Sequence, residues 1–265
     1  MSTLILSPRY SADSRIMRGA AIRAGWSVLR LGGRRAPEEL AGQASAIYGE
    51  VTFAEAIASQ LGLTLMDVPP DWLPDLPEHH RRRNIRLSTL GEARTAEYAA
   101  FVKPADGRKG FEGRVYARGG LGLPPAEAHP DDTPVLIADP VSWVAEYRCF
   151  VADGAVVTVS PYLRAGELAI AADGSWPMTP DESAAVHAYA ESVLAEVPVP
   201  PAVVLDVGLI ADRGWAVVEA NSAWGAGVYG CDPDQVFTVL ARSCVPADRL
   251  HPADARWAAR TVRVE

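Results

Sequence analysis

Cysteine is scarce and follows no pattern. The three cysteines, Cys149, Cys231 and Cys244, show no CxxC spacing. That argues against a disulfide framework or a zinc site and fits a reduced compartment. Long apolar runs are also missing. The apolar stretch at residues 3–6 is too short for a signal peptide or a membrane span. No later segment reaches that length without a charge or a proline. A cytoplasmic location is therefore the expectation. No internal repeat is visible, no Ser-His-Asp or Cys-His pattern stands out, and the G-x-x-x-x-G-K-[ST] phosphate loop is absent. Lysine is missing from the whole segment before Lys103, which uses only arginine. The five histidines are scattered, and none reads as a metal ligand.

What is present is globular. The chain has 265 residues, 49% of them hydrophobic and 22% charged, with seven tryptophans and eight tyrosines. That is enough for one large domain or two modest ones. A net charge of −8 weighs against a large nucleic-acid footprint. The one dense basic run, His79 to Arg83, reads as a solvated helix face or loop.

The pattern along the chain divides near residue 72. Before it, short apolar strands at 3–6, 27–31, 44–48 and 63–68 alternate with helices at 11–24 and 52–60. Ser11 is a fitting N-cap, and Gly25 and Gly62 are fitting stops. This predicts a small parallel sheet with flanking helices. Residues 69–77 are rich in Pro, Asp and Trp and read as a boundary. After it, a helix is expected at 89–98 and strands at 99–104, 115–117 and 135–138. Hairpins are expected around Asp153-Gly154 and Asp212-Arg213-Gly214, with helices at 180–195 and 234–243. Hairpins dominate, so this part reads as α+β with antiparallel sheet.

Three features point to chemistry. The apolar runs around Asp206 and Glu219 are each broken by an acid. A carboxylate in so apolar a strand is costly unless paired, hydrogen-bonded or bound to a cation. Hairpin register can bring Asp206 beside Glu219, and Asn221 shares a face with Glu219. Together they are hard oxygen donors of the kind Mg²⁺ favours; exposed strand ends, or acids answered by arginine, remain the plainer reading. Lys103 closes the strand Phe101-Val102-Lys103-Pro104 ahead of a glycine-bearing loop at 107–113. It is either a strand end reaching solvent or a phosphate contact. Glu146 and Arg148 lie on one strand face, as a surface ion pair or as an arginine aimed at a transferring group.

Taken in order, these features resemble the ATP-grasp superfamily. The segments Phe101-Val102-Lys103-Pro104, Lys109-Gly110-Phe111-Glu112-Gly113, Glu146-Tyr147-Arg148-Cys149-Phe150-Val151 and Val218-Glu219-Ala220-Asn221-Ser222-Ala223-Trp224-Gly225-Ala226-Gly227 look most like its branch named for two arginines and a lysine. The resemblance covers roughly residues 73–243. It implies a small N-terminal αβ (pre-ATP-grasp) domain at 1–72, followed by a two-lobed ATP-grasp fold at 73–265. An ATP-covering lobe would span 73–138 and a catalytic and metal lobe 139–265, with largely antiparallel sheets.

By the same resemblance, ATP would lie between the lobes. Lys103 would contact it, and Lys109, Gly110, Phe111 and Gly113 would fold over its phosphates. Val135, Leu136, Ile137 and Ala138 would meet adenine, and Asp139 the ribose. Asp206, Glu219 and Asn221 would hold Mg²⁺. Arg148 would be catalytic with Glu146 beside it, and Arg86 would be the second arginine, with Arg164 behind it. Tyr162, Arg164 and Trp224 are candidate substrate contacts. The implied reaction is ligation of a small-molecule or peptide carboxylate to an amine through an acyl phosphate, with no membrane role and a possible homodimer. The alternative is transfer to a hydroxyl or nucleic-acid end.

Overall fold

The computed structural model describes residues 2–41, 43, 45–105, 107 and 110–259. Lys109 and the start of the expected strand at Ala44 lie outside them.

The chain opens with β1 (Thr3–Leu6), α1 (Ala12–Arg23), β2 (Ser27–Arg30), β3 (Ser45–Tyr48) and α2 (Val51–Leu61). Ser11 and Ser14 cap α1 reciprocally, which satisfies N–H groups that the first turn leaves open. Gly62 ends α2 in the left-handed region at φ 66. The three strands form a parallel sheet in the order β2-β1-β3.

The expected fourth strand of that sheet does not join it. β4 (Leu63–Leu65) pairs antiparallel with β14 (Cys244–Pro246), from near the far end of the chain. The α2-to-β4 turn has only Gly62 between its elements, too short for the crossover a parallel neighbour needs.

The proline-rich stretch holds two single-turn helices, α3 (Trp72–Asp75) and α4 (Glu78–Arg81). β5 (Ile85–Thr89) and α5 (Leu90–Arg94) follow. Sequence periodicity extends this helix to residue 98. Thr95 caps it at Arg94, because only Leu90 and Ala93 have a core to pack on. β6 (Ala100–Pro104), β7 (Arg114–Tyr116) and β8 (Pro134–Ala138) complete an antiparallel sheet in the order β5-β8-β6-β7.

The second large sheet is antiparallel throughout, in the order β11-β10-β9-β12-β13. It comprises β9 (Trp143–Ala152), β10 (Ala155–Arg164), β11 (Glu167–Leu168), β12 (Ala202–Ile210) and β13 (Gly214–Asn221). Asp153 and Gly154, at φ 49 and 77, make the β9–β10 turn, where positive φ at both positions matches strand twist. α6 (Pro180–Glu196) and α7 (Pro233–Leu240) pack on this sheet.

Its two faces belong to different cores. Phe150, Val204 and α7 join the N-terminal sheet in one apolar cluster, while Tyr147, Leu205 and α6 join α3 and the inner face of the other sheet in a second. The central strands β9 and β12 are thus buried on both faces. Among the described residues, no helix is long and apolar enough to cross a membrane.

Candidate active site

Strand register assembles one row of polar side chains across four strands. Ser160 of β10 is paired with Arg148 of β9, Arg148 with Asp206 of β12, and Asp206 with Glu219 of β13. Paired residues share a face, so these groups stand side by side. Arg148 grips Asp206 with both ends of its fork, Nε to Oδ1 at 2.9 Å and Nη2 to Oδ2 at 2.6 Å. Asp206 is wholly buried, at 0% exposure, so this pairing is what makes its charge tolerable. Burial pushes the Asp206 carboxyl up, and Arg148 pulls against that. The third arginine nitrogen, Nη1, donates to the Gly227 carbonyl at 3.0 Å.

Two bulges shape the ends of the row. On β10 the pairing slips between Pro161 and Leu163, which makes Tyr162 the extra residue. Its hydroxyl donates to Glu146 Oε2 at 2.6 Å, and its ring lies 5.3 Å from that of Tyr229, nearly parallel. The Arg148 guanidinium sits 4.9 Å from the Tyr229 ring and 5.5 Å from the Tyr162 ring. Burial raises the Glu146 carboxyl, with the Tyr162 hydrogen bond opposing.

On β13 the slip falls between Asp206 and Val207, leaving Val218 unpaired. Consecutive strand carbonyls ordinarily point to opposite edges. At this bulge Arg83 takes both, Val217 O at 2.8 Å and Val218 O at 3.0 Å. Burial lowers Arg83 to about 10, and the nearby Glu146 and Glu219 carboxylates oppose the shift. The basic run is therefore solvated only in part: His79 and Arg82 are exposed, whereas Arg83 and His80 are turned inward.

The other sheet meets this row through Lys103, which forms an ion pair with Glu219. Burial disfavours the Glu219 carboxylate, yet Lys103 and Asn221 hold its pKa down to about 2. The Asn221 amide donates to Glu219 Oε1 at 2.8 Å and to Asp206 Oδ2 at 3.1 Å. Asp206, Glu219 and Asn221 are thus brought together as a hard oxygen set that fits Mg²⁺ by chemistry. Both Asp206 oxygens already face Arg148, which leaves Glu219 and Asn221 as the groups with capacity toward the opposing sheet.

The remaining expected residues fall in three groups. Gly113 lies against Lys103, where an added Cβ would come within 2.9 Å of the lysine Cβ. Phe111 anchors the end of the glycine loop by packing edge-on against Tyr116 and His129, and Gly110 abuts His129. On β8, Leu136 and Ala138 face the second sheet, whereas Val135 and Ile137 belong to the outer core under α5.

Asp139 is occupied, its Oδ2 accepting from the Asn84 backbone at 3.0 Å and side chain at 2.9 Å. Trp224 is 2% exposed and donates to the Met66 carbonyl, which makes it a core anchor.

Two arginines are not brought to the row. Arg86 pairs in register with Ile137, on the face away from Lys103, and binds Ser88 and Glu92. Arg164 turns toward α6 and binds Glu182 at 2.6 Å.

Asp13 and Tyr229 do reach the row, although no motif in the sequence marks either. A β-carbon at Gly227 would stand 3.5 Å from both Arg148 Nη1 and Asp13 Oδ2. The first turn of α1 thus delivers a carboxylate beside the arginine. Its pKa is raised by burial, against the Val228 N–H and Arg148. No local pattern could flag Asp13, because its neighbours in the site lie far along the chain.

An antiparallel sheet carrying an Arg–Asp–Glu–Asn row, buried at Arg148 and Asp206 and faced by a lysine from a second antiparallel sheet, defines a two-lobed site of the ATP-grasp kind. The sequence agrees. Residues 80–239 match an ATP-grasp domain family, the second family of the clade named for two arginines and a lysine, and the chain belongs to that family.

Solved structures share the fold at low identity. D-cycloserine synthetase DcsG is 15% identical, with a TM-score of 0.58 over 91% of this chain and 99% of its own. D-alanine–D-alanine ligase from Bacillus anthracis is 12% identical, with a TM-score of 0.52 over 92% and 97%. A RimK domain ATP-grasp protein from Sphaerobacter thermophilus is 14% identical, with a TM-score of 0.51 over 91% and 98%. No curated protein matches the chain by sequence.

Proposed function

We propose that this chain is an ATP-dependent ligase that activates a carboxylate as an acyl phosphate and joins it to an amine, releasing ADP and phosphate. The supporting observation is the Arg148–Asp206–Glu219 row with Lys103 opposite. It sets fixed positive charge beside an acidic oxygen set, which suits phosphoryl transfer.

In this reading a substrate carboxylate oxygen attacks the γ-phosphorus of ATP. The bond from that phosphorus to the β–γ bridging oxygen breaks, and ADP leaves with the electron pair. The amine nitrogen then attacks the acyl carbon, the carbon–oxygen bond to phosphate breaks, and the nitrogen gives its proton to solvent. Arg148, held immobile by Asp206 and Gly227, stabilises charge on the moving phosphoryl group. Lys103 exchanges Glu219 for phosphate oxygens. The loop ending at Phe111 and Gly113 shields the acyl phosphate from water. Glu219 and Asn221, with Asp206 behind them, would hold Mg²⁺, which would supply charge neutralisation on the phosphates. The adenine side is the end of β8 around Leu136 and Ala138, with Asp139 freed from Asn84 to meet the ribose. The similarity to a D-alanine–D-alanine ligase and a D-cycloserine synthetase favours small amino-acid-like substrates.

Melting temperature with ATP, ADP or GTP, each with and without Mg²⁺, tests the nucleotide half. Ligand at about 100 times its Kd adds roughly 2.7 kcal/mol to native stability. The expected result is a Mg²⁺-dependent rise with adenine nucleotides only. ADP release against paired carboxylates and amines tests the rest. Release that needs both partners supports the ligase, and release with a hydroxyl acceptor and no amine overturns it.

A further inference from the structure

A second cluster of donor atoms lies where α4 meets the end of α6, and it shares no residue with the row around Arg148. Glu196, the last residue of α6, places Oε2 2.9 Å from His79 Nε2 and 3.3 Å from His80 Nε2. The two imidazole rings are neighbours, with centroids 4.2 Å apart. All three ligand atoms fall within 4.8 Å of one another. Adjacent histidines in a basic run carry no ligand spacing of their own. Glu196 supplies the missing partner from a distant part of the chain.

Two observations separate this cluster from an ordinary histidine–carboxylate pair. First, His80 is 3% exposed, yet its buried Nε2 has no hydrogen-bond partner among the described residues. Its approach to Glu196 is close but not aligned as a hydrogen bond. A buried polar atom without a partner costs about 1–3 kcal/mol, so native structures rarely leave one. Second, one carboxylate oxygen is shared: Glu196 Oε2 stands close to both histidine nitrogens at once, as ligands of one ion would be grouped. Donors at about 2.0–2.2 Å from a tetrahedral Zn²⁺ lie roughly 3.3 Å from one another. The Oε2 distances of 2.9 and 3.3 Å approach this edge length.

The ring of His80 is also held in place. It meets the Tyr189 ring edge-on at 5.9 Å, and the Tyr189 hydroxyl donates to the His80 carbonyl at 3.3 Å. Tyr189 in turn stacks on Trp215. The same hydroxyl stands 3.5 Å from His80 Nδ1, the ring nitrogen whose partners fix ligand orientation in metal sites.

We propose that His79, His80 and Glu196 form a binding site for one Zn²⁺ ion, completed by water. Two imidazoles and one carboxylate select a borderline transition ion over Mg²⁺, which prefers oxygen alone. The ion cross-links α4 to α6. α4 opens the segment that leads through Arg83 into β5, and Arg83 grips the bulge beside Glu219. A metal here therefore braces the entry to the ATP-covering sheet against the helix packed behind the catalytic sheet. The three thiols, Cys149, Cys231 and Cys244, are all buried and offer no competing exposed site.

Equilibrium dialysis of the full chain against Zn²⁺, with metal analysis and no nucleotide, tests the site independently of any ligase activity. The expected result is one equivalent of Zn²⁺ per chain, a higher melting temperature, and no displacement by excess Mg²⁺. His79→Gln and Glu196→Gln are suitable variants because both side chains are about half exposed, at 54% and 51%. Each should weaken Zn²⁺ binding by about 100-fold, since even outer-shell losses cost 10–100-fold. His251→Gln, a surface histidine elsewhere, should leave binding unchanged. Zn²⁺ retained equally by wild type and both ligand variants overturns the proposal, as does wild type that binds none.

Discussion

The two antiparallel sheets that meet at Lys103 and Glu219 carry charge in opposite ways. On the five-stranded sheet the charges are buried and answered within the sheet, Arg148 by Asp206, Asp206 by Asn221 and Glu146 by Tyr162. Their positions follow from strand register and two bulges, so they have little freedom to move. On the four-stranded sheet the inward face is apolar at Leu87 and Leu136, and one long lysine crosses from it. Its other described charges, such as Arg86–Glu92 and Arg94–Asp131, are engaged at its outer side. One sheet is a preorganised charged floor. The other is an apolar roof from which, among the described residues, Lys103 reaches across to Glu219. A site that must admit and release a polyanion between chemical steps is well served by that division.

Breaking the floor should have the largest effect. Arg148→Met leaves the Asp206 carboxyl fully buried without its counter-charge, and removing one partner of such a pair costs about 3–5 kcal/mol. Urea unfolding measures this. Adding Asp206→Leu to the same chain should recover much of the stability, because the uncompensated charge then disappears, but no ADP release. A single variant that loses less than about 1 kcal/mol would show that the row is not the rigid part of the molecule.

Removing the roof's cation should spare the fold and weaken the ligand. The Lys103–Glu219 pair is partly exposed, at 23% and 29%, so Lys103→Ala should change unfolding stability by less than about 1 kcal/mol. Nucleotide affinity should fall about 10–100-fold, the worth of a hydrogen bond to a charged group. The pH profile sharpens the comparison. Glu219 is held at about 2, below its ordinary 4.5. A depressed carboxyl contributes stability that is fully present above about 4.5 and is lost as pH falls toward 2. Without Lys103 the Glu219 pKa moves back toward 4.5, so the share of the acid loss of stability that belongs to Glu219 should shrink. Melting temperature against pH reads this directly, and an unshifted acid limb would assign the depression to Asn221 instead.

How far the sequence disclosed the site follows from the same contrast. Glu146 and Arg148, two apart on a strand, are a local pattern, whereas Asp206 meets Glu219 only because the bulge at Val218 advances β13 by one residue; unbroken register would set Asp206 opposite Val218. Residues that depend on a bulge or on a distant element were not legible. The extra residue at Tyr162 turns that side chain onto Glu146. Arg83 finds two carbonyls only because Val218 is unpaired. Asp13 arrives from a helix that precedes every motif. The fold shows the same limit. Alternating strands and helices announced the N-terminal sheet, but β4 left it for β14, in the register Leu65 with Cys244, a pairing across most of the chain that no short window contains.

Arg86 illustrates why a strand's inward face is hard to choose, and it gives the smallest expected effect. Ile85-Arg86-Leu87 alternates as a half-buried strand should, but both faces of this sheet are covered, so alternation does not say which face meets the ligand. The structure places Arg86 on the side of α5, bound to Ser88 and Glu92, with 49% of its side chain exposed. An exposed pair of this sort is worth about 0.2–1 kcal/mol. Arg86→Ala should therefore lower stability by no more than about 1 kcal/mol and leave ATP affinity within about twofold, in contrast to Lys103→Ala on the other face. Titration of both variants with the same nucleotide makes the comparison. A loss at Arg86 as large as that at Lys103 would mean that β5 turns its outer face to the ligand, and that Arg86 acts on the nucleotide beside Lys103.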